Sequence, residues 1–390
     1  MQNTIVETYY NHICNEWGVK PTSDVCSGYE GVLDQLMTYS KERWNNADVQ
    51  GKEKIIDEVF DIYRSINIIP ITYYTLEGCK QELLAMQNKN SSIAFGKGDN
   101  GQISVGRTAG QNFSRFWFPN MQEAYTRKNK MVSMKARFYD DYRLRKAIGF
   151  CYKYRDEGIN SVLPASIKRA LDLVNGGTIA NFKPMNARAI YEHICPNIFG
   201  NVLDFSSGYG GRMLGSLTSK MRYHYTGIDP NTKTYNGLVA LGEFMSSLGL
   251  GNGYEMHHMP SEQFTPKPGY YDAAFSSPPY FNLETYSDET TQCMNSCSNI
   301  DEWFNNYAEP TIKMIHTALV KDGLYAVNIA DYKDGKEQFD IVDRWRNVSE
   351  QNGFKYIEQL DMLLNVRPGK GNNKLTKSYK SEGIYIFKKS

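Results

Sequence analysis

YYDAAFSSPPYFNLETYSDE, residues 270–289, holds an apolar run that ends in Ser277-Pro278-Pro279-Tyr280. Neither proline can donate a ladder hydrogen bond, so a core strand must stop there. A buried strand that ends on a rigid, donor-free kink with an aromatic ring behind it asks for an explanation beyond folding.

The surrounding chain supplies the context. From about residue 180, short apolar runs alternate with helical patterns. NVLDF, YHYTGID, GYEMHHM, YYDAAFS, GLYAVNIA, FKYIEQLDMLL and EGIYIFKK read as strands. Between most of them lie GRMLGSLTSKM, TYNGLVALGEFMSSLGL, IDEWFNNYAEPTIKMIHTAL and QFDIVDRWRNVSEQNG, which step at helical spacing. Such alternation predicts βαβ units, hence an α/β fold with a mostly parallel sheet and helices on both faces. The last two strands, joined by a long polar loop, are expected to form an antiparallel edge hairpin. Residues 1–175 read instead as a mainly helical domain, and 176–390 as the sheet domain. GYEGVLDQLMTYSKERW and GKEKIIDEVFDIYRSINI carry three- and four-residue apolar steps, and Thr75 offers a cap for TLEGCKQELLAMQ. A hairpin is expected around Asp99-Asn100-Gly101.

Bulk properties bound the rest. The 390 residues allow two domains, and 44 basic against 43 acidic residues give no global field for a polyanion. No apolar run spans a membrane and no secretory signal opens the chain, so a cytoplasmic protein without membrane association is expected. Seven irregularly spaced cysteines read as reduced thiols. Cys293 and Cys297 lack a matching second pair, so no metal is expected.

Ligands of parallel α/β sheets bind at the carboxyl ends of the strands. At the first end, VLDFSSGYGGRMLG places Asp204, Phe205, Ser206, Gly208 and Gly210 at a glycine-rich turn into a helix, where a backbone can approach a ligand; close packing alone is the other reading. At the second, Asp229-Pro230 puts an acid 21 residues after Gly208, suited to two ribose hydroxyls or to capping the next helix. At the third, Ser261 and Glu262 could meet an adenine edge or cap a turn. His257 and His258 are adjacent on a strand and point to opposite faces, so they chelate no metal together.

The glycine turn, the acid and Ser277-Pro278-Pro279-Tyr280, in this order, resemble the S-adenosylmethionine-dependent amino methyltransferases of nucleic acids, whose catalytic motif is (Asp/Asn/Ser)-Pro-Pro-(Tyr/Phe). VLDFSSGYGGRMLG and SPPYFNLETY are similar to phage and bacterial DNA methylases of the restriction-modification type. The likeness covers roughly residues 180–390. It implies a Rossmann-like methyltransferase sheet with S-adenosyl-L-methionine as cofactor. It also implies that Ser277 and the Pro278 carbonyl accept from a target amino group, held rigidly by Pro279, with Tyr280 stacked on the base. Phe182-Lys183-Pro184, just before the first motif, would reach over the methionine end of the cofactor; a domain-entry turn is the alternative. The base must be flipped out of double-stranded DNA. Ring-carbon cytosine methylation needs a cysteine nucleophile, typically in Pro-Cys, a dipeptide this chain lacks. Serine in the first motif position leans slightly towards cytosine N4 over adenine N6. RNA or protein-amide methylation, a nicotinamide-dependent oxidoreductase and a non-catalytic nucleic-acid binder remain open.

Only about 20 residues follow Tyr280 before the next helix, too few for a recognition domain. Recognition is therefore expected in the helical half. Residues 107–147 hold ten basic residues against three acids, interleaved with Phe113, Phe116, Trp117, Phe118 and Tyr125. Arg115, Arg127, Lys128, Lys130, Lys135 and Arg137 there, with Lys370, Lys374 and Lys377 in the polar loop near the C-terminus, are the expected DNA contacts. A solvated helix face over a core aromatic stripe is the other reading.

Overall fold

The computed structural model describes residues 4–90, 108–126, 132–153, 161–174, 179–334, 337–363 and 381–390. The expected hairpin at Asp99-Asn100-Gly101 and the expected boundary at 175/176 lie outside them, as do Arg127, Lys128, Lys130, Lys370, Lys374 and Lys377.

The helical half builds α1 (Thr4–Trp17), α2 (Val49–Ile66), α3 (Leu76–Gln87), α4 (Gln111–Trp117), α5 (Asp141–Lys153) and α6 (Pro164–Val174). Local chemistry sets their limits. Asp48 caps α2 by accepting from the Gly51 amide at 2.7 Å, and Thr75 caps α3 through the Gly78 amide at 2.9 Å. One departure is GYEGVLDQLMTYSKERW, which is broken into short pieces, Glu30–Val32, Leu33–Met37 and Lys41–Asn46. Ser40 accepts from the Arg43 amide and restarts the helix in the middle of the periodic run.

The second half supplies α7 (Pro184–Ile194), β1 (Asn201–Asp204), α8 (Gly211–Leu217), β2 (His224–Ile228), α9 (Thr232–Ser247), β3 (Tyr254–His257), β4 (Tyr271–Ser276), α10 (Glu309–Ala318), β5 (Leu319–Asn328), α11 (Ile341–Gln351), β6 (Phe354–Leu363) and β7 (Ser381–Lys389). The strands form one sheet in the order β6-β7-β5-β4-β1-β2-β3. β1 to β5 pair in parallel, and β7 runs antiparallel between β5 and β6. This is a Rossmann-like, mostly parallel sheet with an antiparallel edge hairpin, with a mainly helical first half attached. Near-continuous burial along β1 and β4 explains why both read as unbroken apolar runs.

The chain leaves β1 towards β2 and β3 on one side, and crosses to β4 and β5 on the other. The crevice at the carboxyl ends of β1 and β4 is therefore the topological switch point. The helix expected over residues 300–319 has a π turn at Phe304–Ala308 just before α10. Pro310 lacks the N–H that would continue an α-helical ladder there, which favours the wider turn.

Both halves share one hydrophobic core. The Trp117 ring stacks on Phe244 of α9 at 5.7 Å, and its Nε1 donates to the Gly237 carbonyl at 3.0 Å. Asn120 Nδ2 donates to Thr234 Oγ1 at 2.8 Å, and Ser114 Oγ donates to the Tyr209 carbonyl at 2.7 Å. A two-rung antiparallel ribbon pairs Tyr125 with Thr285 and Thr126 with Glu284. All seven cysteines are free thiols and buried. No helix among the described residues is long and apolar enough to cross a membrane.

Candidate active site

A cavity of about 420 Å³ opens at the switch point. Phe182, Lys183, Phe205, Ser206, Gly208, Asp229, Pro230, Ser261, Glu262, Ser277, Pro278, Pro279 and Tyr280 all line it. Thus every expected catalytic residue, and all but three expected cofactor residues, meet in one place although they span residues 182–280.

The three exceptions are Asp204, Gly210 and Pro184. Asp204 is fully buried and spent internally. It pairs with Arg212 at 2.9 Å and accepts from Tyr225 Oη at 2.8 Å, from Ser276 Oγ at 2.8 Å and from the Ser206 amide at 3.3 Å. The Ser276 bond crosses the switch point and ties the end of β1 to the end of β4. An acid with this many internal donors organises the turn and is closed off from the cavity. Gly210 takes the left-handed conformation at φ +71°, and a Cβ there would lie 2.9 Å from the Phe118 ring. It serves close packing. Pro184 opens α7, with its carbonyl against α8. Gly208, also left-handed at φ +54°, does face the cavity.

Asp229 sits at the mouth of β2. Its Oδ2 accepts from the Gly208 amide at 2.8 Å, and its Oδ1 from the Asn231 amide at 3.0 Å. Asn231, rather than Asp229, caps α9, by accepting from the Thr234 amide. Desolvation raises the Asp229 carboxyl from 3.8 to about 7, against the two amides that favour its ionised form. Ser261 Oγ lies 3.1 Å from Thr311 Oγ1, and burial raises the acid of Glu262.

Ser277 Oγ donates at 3.3 Å to both the main-chain and side-chain oxygens of Asn328, at the end of β5. A hydroxyl has one proton and two acceptor lone pairs, so this leaves Ser277 an acceptor towards the cavity. Tyr280 Oη donates to Glu382 Oε1 at 2.8 Å, and its ring meets Tyr332 edge-on at 5.6 Å. Both contacts lock the plane of the ring.

Sequence reading missed several lining residues: Tyr209, Glu284, Tyr286, Gln292, Tyr307 and Glu382. Tyr307 lies in the π turn, with its Oη 3.1 Å from Ser206 Oγ. A proline in an otherwise periodic helix was the only signal for it. Glu382, 102 residues beyond Tyr280, had none.

Three buried polar atoms on the wall have no partner: Tyr209 Oη, Glu262 Oε2 and Gln292 Nε2. Each would cost about 1–3 kcal/mol unless a ligand satisfied it. The wall is also acidic. Asp229, Glu262, Glu284 and Glu382 face Lys183 and Arg212, and Arg212 is committed to Asp204. Among the described residues, no group of three or more His, Cys, Asp or Glu is placed to hold a metal ion. His258 stacks on Tyr235, while His257 lies against Phe264.

The basic-aromatic segment requires a correction. Arg137 is 1 % exposed and its Nε donates to the Val132 carbonyl, which suits a core strut rather than a phosphate contact. Phe113, Phe116, Trp117 and Phe118 are all buried, so none is a platform for a base. Arg115 is half-buried and donates to Asn112 Oδ1, and Lys135 pairs with Glu123 at 2.9 Å. Arg143 and Arg145 pair with Asp140 and Asp57. The periodicity that looked like a charged face over a stripe was that, with the stripe inward.

No family model matches the chain, and no curated protein does. Solved structures of similar fold include TrmN from Thermus thermophilus, at 13% identity over 53% of this chain and 49% of that one, TM-score 0.33. A SAM-dependent methyltransferase from Methanosarcina mazei matches at 13% identity over 51% and 96%, TM-score 0.35. The 1,6-didemethyltoxoflavin-N1-methyltransferase of Burkholderia thailandensis, solved with S-adenosylhomocysteine, matches at 13% over 52% and 76%, TM-score 0.34. This chain spans about half the length of TrmN. Similarity this low carries no functional argument, so the reading rests on strand order and cavity.

Proposed function

We propose that the protein is a DNA methyltransferase that transfers a methyl group from S-adenosylmethionine to an exocyclic amino group, cytosine N4 or adenine N6, of a flipped-out base. The observation that carries this reading is the meeting of Ser277-Pro278-Pro279-Tyr280 and Asp229 in one cavity at the switch point.

The cofactor, when bound, supplies an electrophilic methyl on a cationic sulfonium. The acidic wall suits such a cation and opposes the pyrophosphate of a nicotinamide dinucleotide, since four carboxyl groups, Asp229, Glu262, Glu284 and Glu382, line it against two cations, Lys183 and Arg212. Asp229 accepts from ribose hydroxyls, and the unpartnered atoms of Glu262 and Gln292 are available to polar groups of the nucleoside or its methionine arm. Phe182, edge-on to Phe275 at 5.2 Å, closes the other side.

An exocyclic amino group is a poor nucleophile because its lone pair is delocalised into the ring. Ser277 Oγ, with its proton committed to Asn328, accepts one N–H of that group. The Pro278 carbonyl, on a backbone fixed by two prolines, accepts the other. Acceptors aimed in advance stabilise positive charge as it develops on nitrogen. Tyr280 stacks on the base, in a plane held by Glu382 and Tyr332.

Two measurements test this. Titration calorimetry should give binding of S-adenosylhomocysteine and none of NAD; the reverse result sinks the reading. Tritiated methyl from the cofactor should appear in DNA and not in RNA or protein. Counts confined to RNA would keep the cavity chemistry and replace the substrate.

A further inference from the structure

Two carboxyl groups outside the Ser-Pro-Pro-Tyr motif line the cavity close enough to interact electrostatically. Glu284 accepts a hydrogen bond from Tyr286 Oη, and Glu382 accepts one from Tyr280 Oη. They lie 98 residues apart in the chain. Glu284 lies in the ribbon paired with Thr126, and Glu382 is the second residue of β7. Beside them stands Tyr209, whose ring is 6.3 Å from that of Tyr286. Tyr209 is 4 % exposed, lines the same cavity, and its hydroxyl has no partner in the protein.

These facts constrain what the wall receives. An unpartnered phenol beside the pair calls for a polar ligand there. Two nearby carboxyls in an enclosed site do not both ionise readily. The Glu284 acid is accordingly raised by enclosure, and the Glu382 carboxylate adds to the shift. In its protonated form Glu284 offers an O–H donor, with carboxyl acceptors beside it. That is the complement of an amidine edge, where an amino group sits next to a ring nitrogen with a lone pair. Cytosine presents N4 beside N3, and adenine N6 beside N1.

The geometry points to Glu284, supported by Glu382 and Tyr209, as the group that reads the ring nitrogen adjacent to the target amino group. This rests on the function proposed above. It adds a specificity contact that Ser277 and Pro278 do not make, since both of those are acceptors for N–H.

The test uses random-sequence duplex DNA pools, natural or with cytosine replaced by 3-deazacytosine or adenine by 1-deazaadenine. The deaza bases keep the amino group and lose the ring nitrogen. Wild-type kcat/KM for tritiated methyl incorporation should fall at least about tenfold on one deaza pool, about 1.4 kcal/mol. Glu284→Ala should be slow on the natural pool and equally slow on that deaza pool, with S-adenosylhomocysteine binding kept. Glu284→Gln, whose amide offers one donor and one acceptor, should retain most wild-type activity and the discrimination. Equal wild-type rates on natural and deaza pools would overturn the contact, as would full discrimination in Glu284→Ala. Absence of incorporation into the natural pool by the wild type fails the underlying function, and the contact with it.

Discussion

Two aromatic segments of this chain look alike on paper and behave oppositely in space. Gln111–Phe118 places Phe113, Phe116, Trp117 and Phe118 around Arg115, and every one of these rings is buried against α9 or the core beside it. Residues 280–286 hold Tyr280, Phe281 and Tyr286, and both tyrosines remain half-exposed on a cavity wall with their hydroxyls tied to carboxylates. Composition does not distinguish the two. Position does, because the second segment follows a strand that ends at a switch point, and the first is about two turns of a short helix pressed on another.

Substitutions can break this contrast. Trp117→Ala should remove about 3–5 kcal/mol of stability in chemical denaturation, by loss of a fully buried ring. Whatever fraction stays folded should keep its methylation rate per folded molecule. A specific loss of DNA binding at unchanged stability would reverse the assignment of that ring to the core. Gly210→Ala should cost about 1–3 kcal/mol, since it forces a side chain into the left-handed region and towards Phe118. Unaltered stability there would mean that the seam between the halves is loose.

Tyr280→Ala should act the other way. Loss of a stacked base is worth about 1–3 kcal/mol, roughly 10- to 100-fold in kcat/KM. Melting temperature and S-adenosylhomocysteine affinity should barely move, and a variant with unchanged activity would remove Tyr280 from the catalytic wall.

The smallest effect concerns pH. The folded Asp229 acid, at about 7, lies above its ordinary 3.8. The folded chain therefore holds this proton more tightly than the unfolded one. Its contribution to stability is full below pH 4 and declines as pH rises through about 7. A ligand whose hydroxyls donate to the carboxylate favours the ionised form. S-adenosylhomocysteine should therefore bind several-fold more tightly at pH 8 than at pH 6, with a ceiling of about tenfold per pH unit. Asp229→Asn should flatten that profile, and a flat wild-type profile would place the ribose elsewhere.

These cases also mark what could be read in advance. Strand ends were legible because apolar runs, glycine turns and prolines are local signals, and they brought Asp229 and Ser277–Tyr280 to the right face. Asp204 was legible as important and misassigned in role. Its partner Arg212 lies within the quoted turn, but a sequence does not say that Tyr225 and Ser276 also converge on it. Glu382 was illegible, since only the insertion of β7 between β5 and β6 carries it to Tyr280. Arg137 misled because it looks solvated in sequence, and only the fold shows it buried with its Nε donating to the Val132 carbonyl.

The packing of Phe118 on the glycine turn bears on how this protein could be taken apart. The ring comes from the helical half, yet it seats on Gly210 and near Gly237, both in the sheet half. A sheet half produced alone would carry an apolar scar where Trp117 and Phe118 belong, beside the very turn that shapes its cavity. The two halves are thus poor candidates for modular exchange: grafting a different helical half onto this sheet would require copying the aromatic seam along with it.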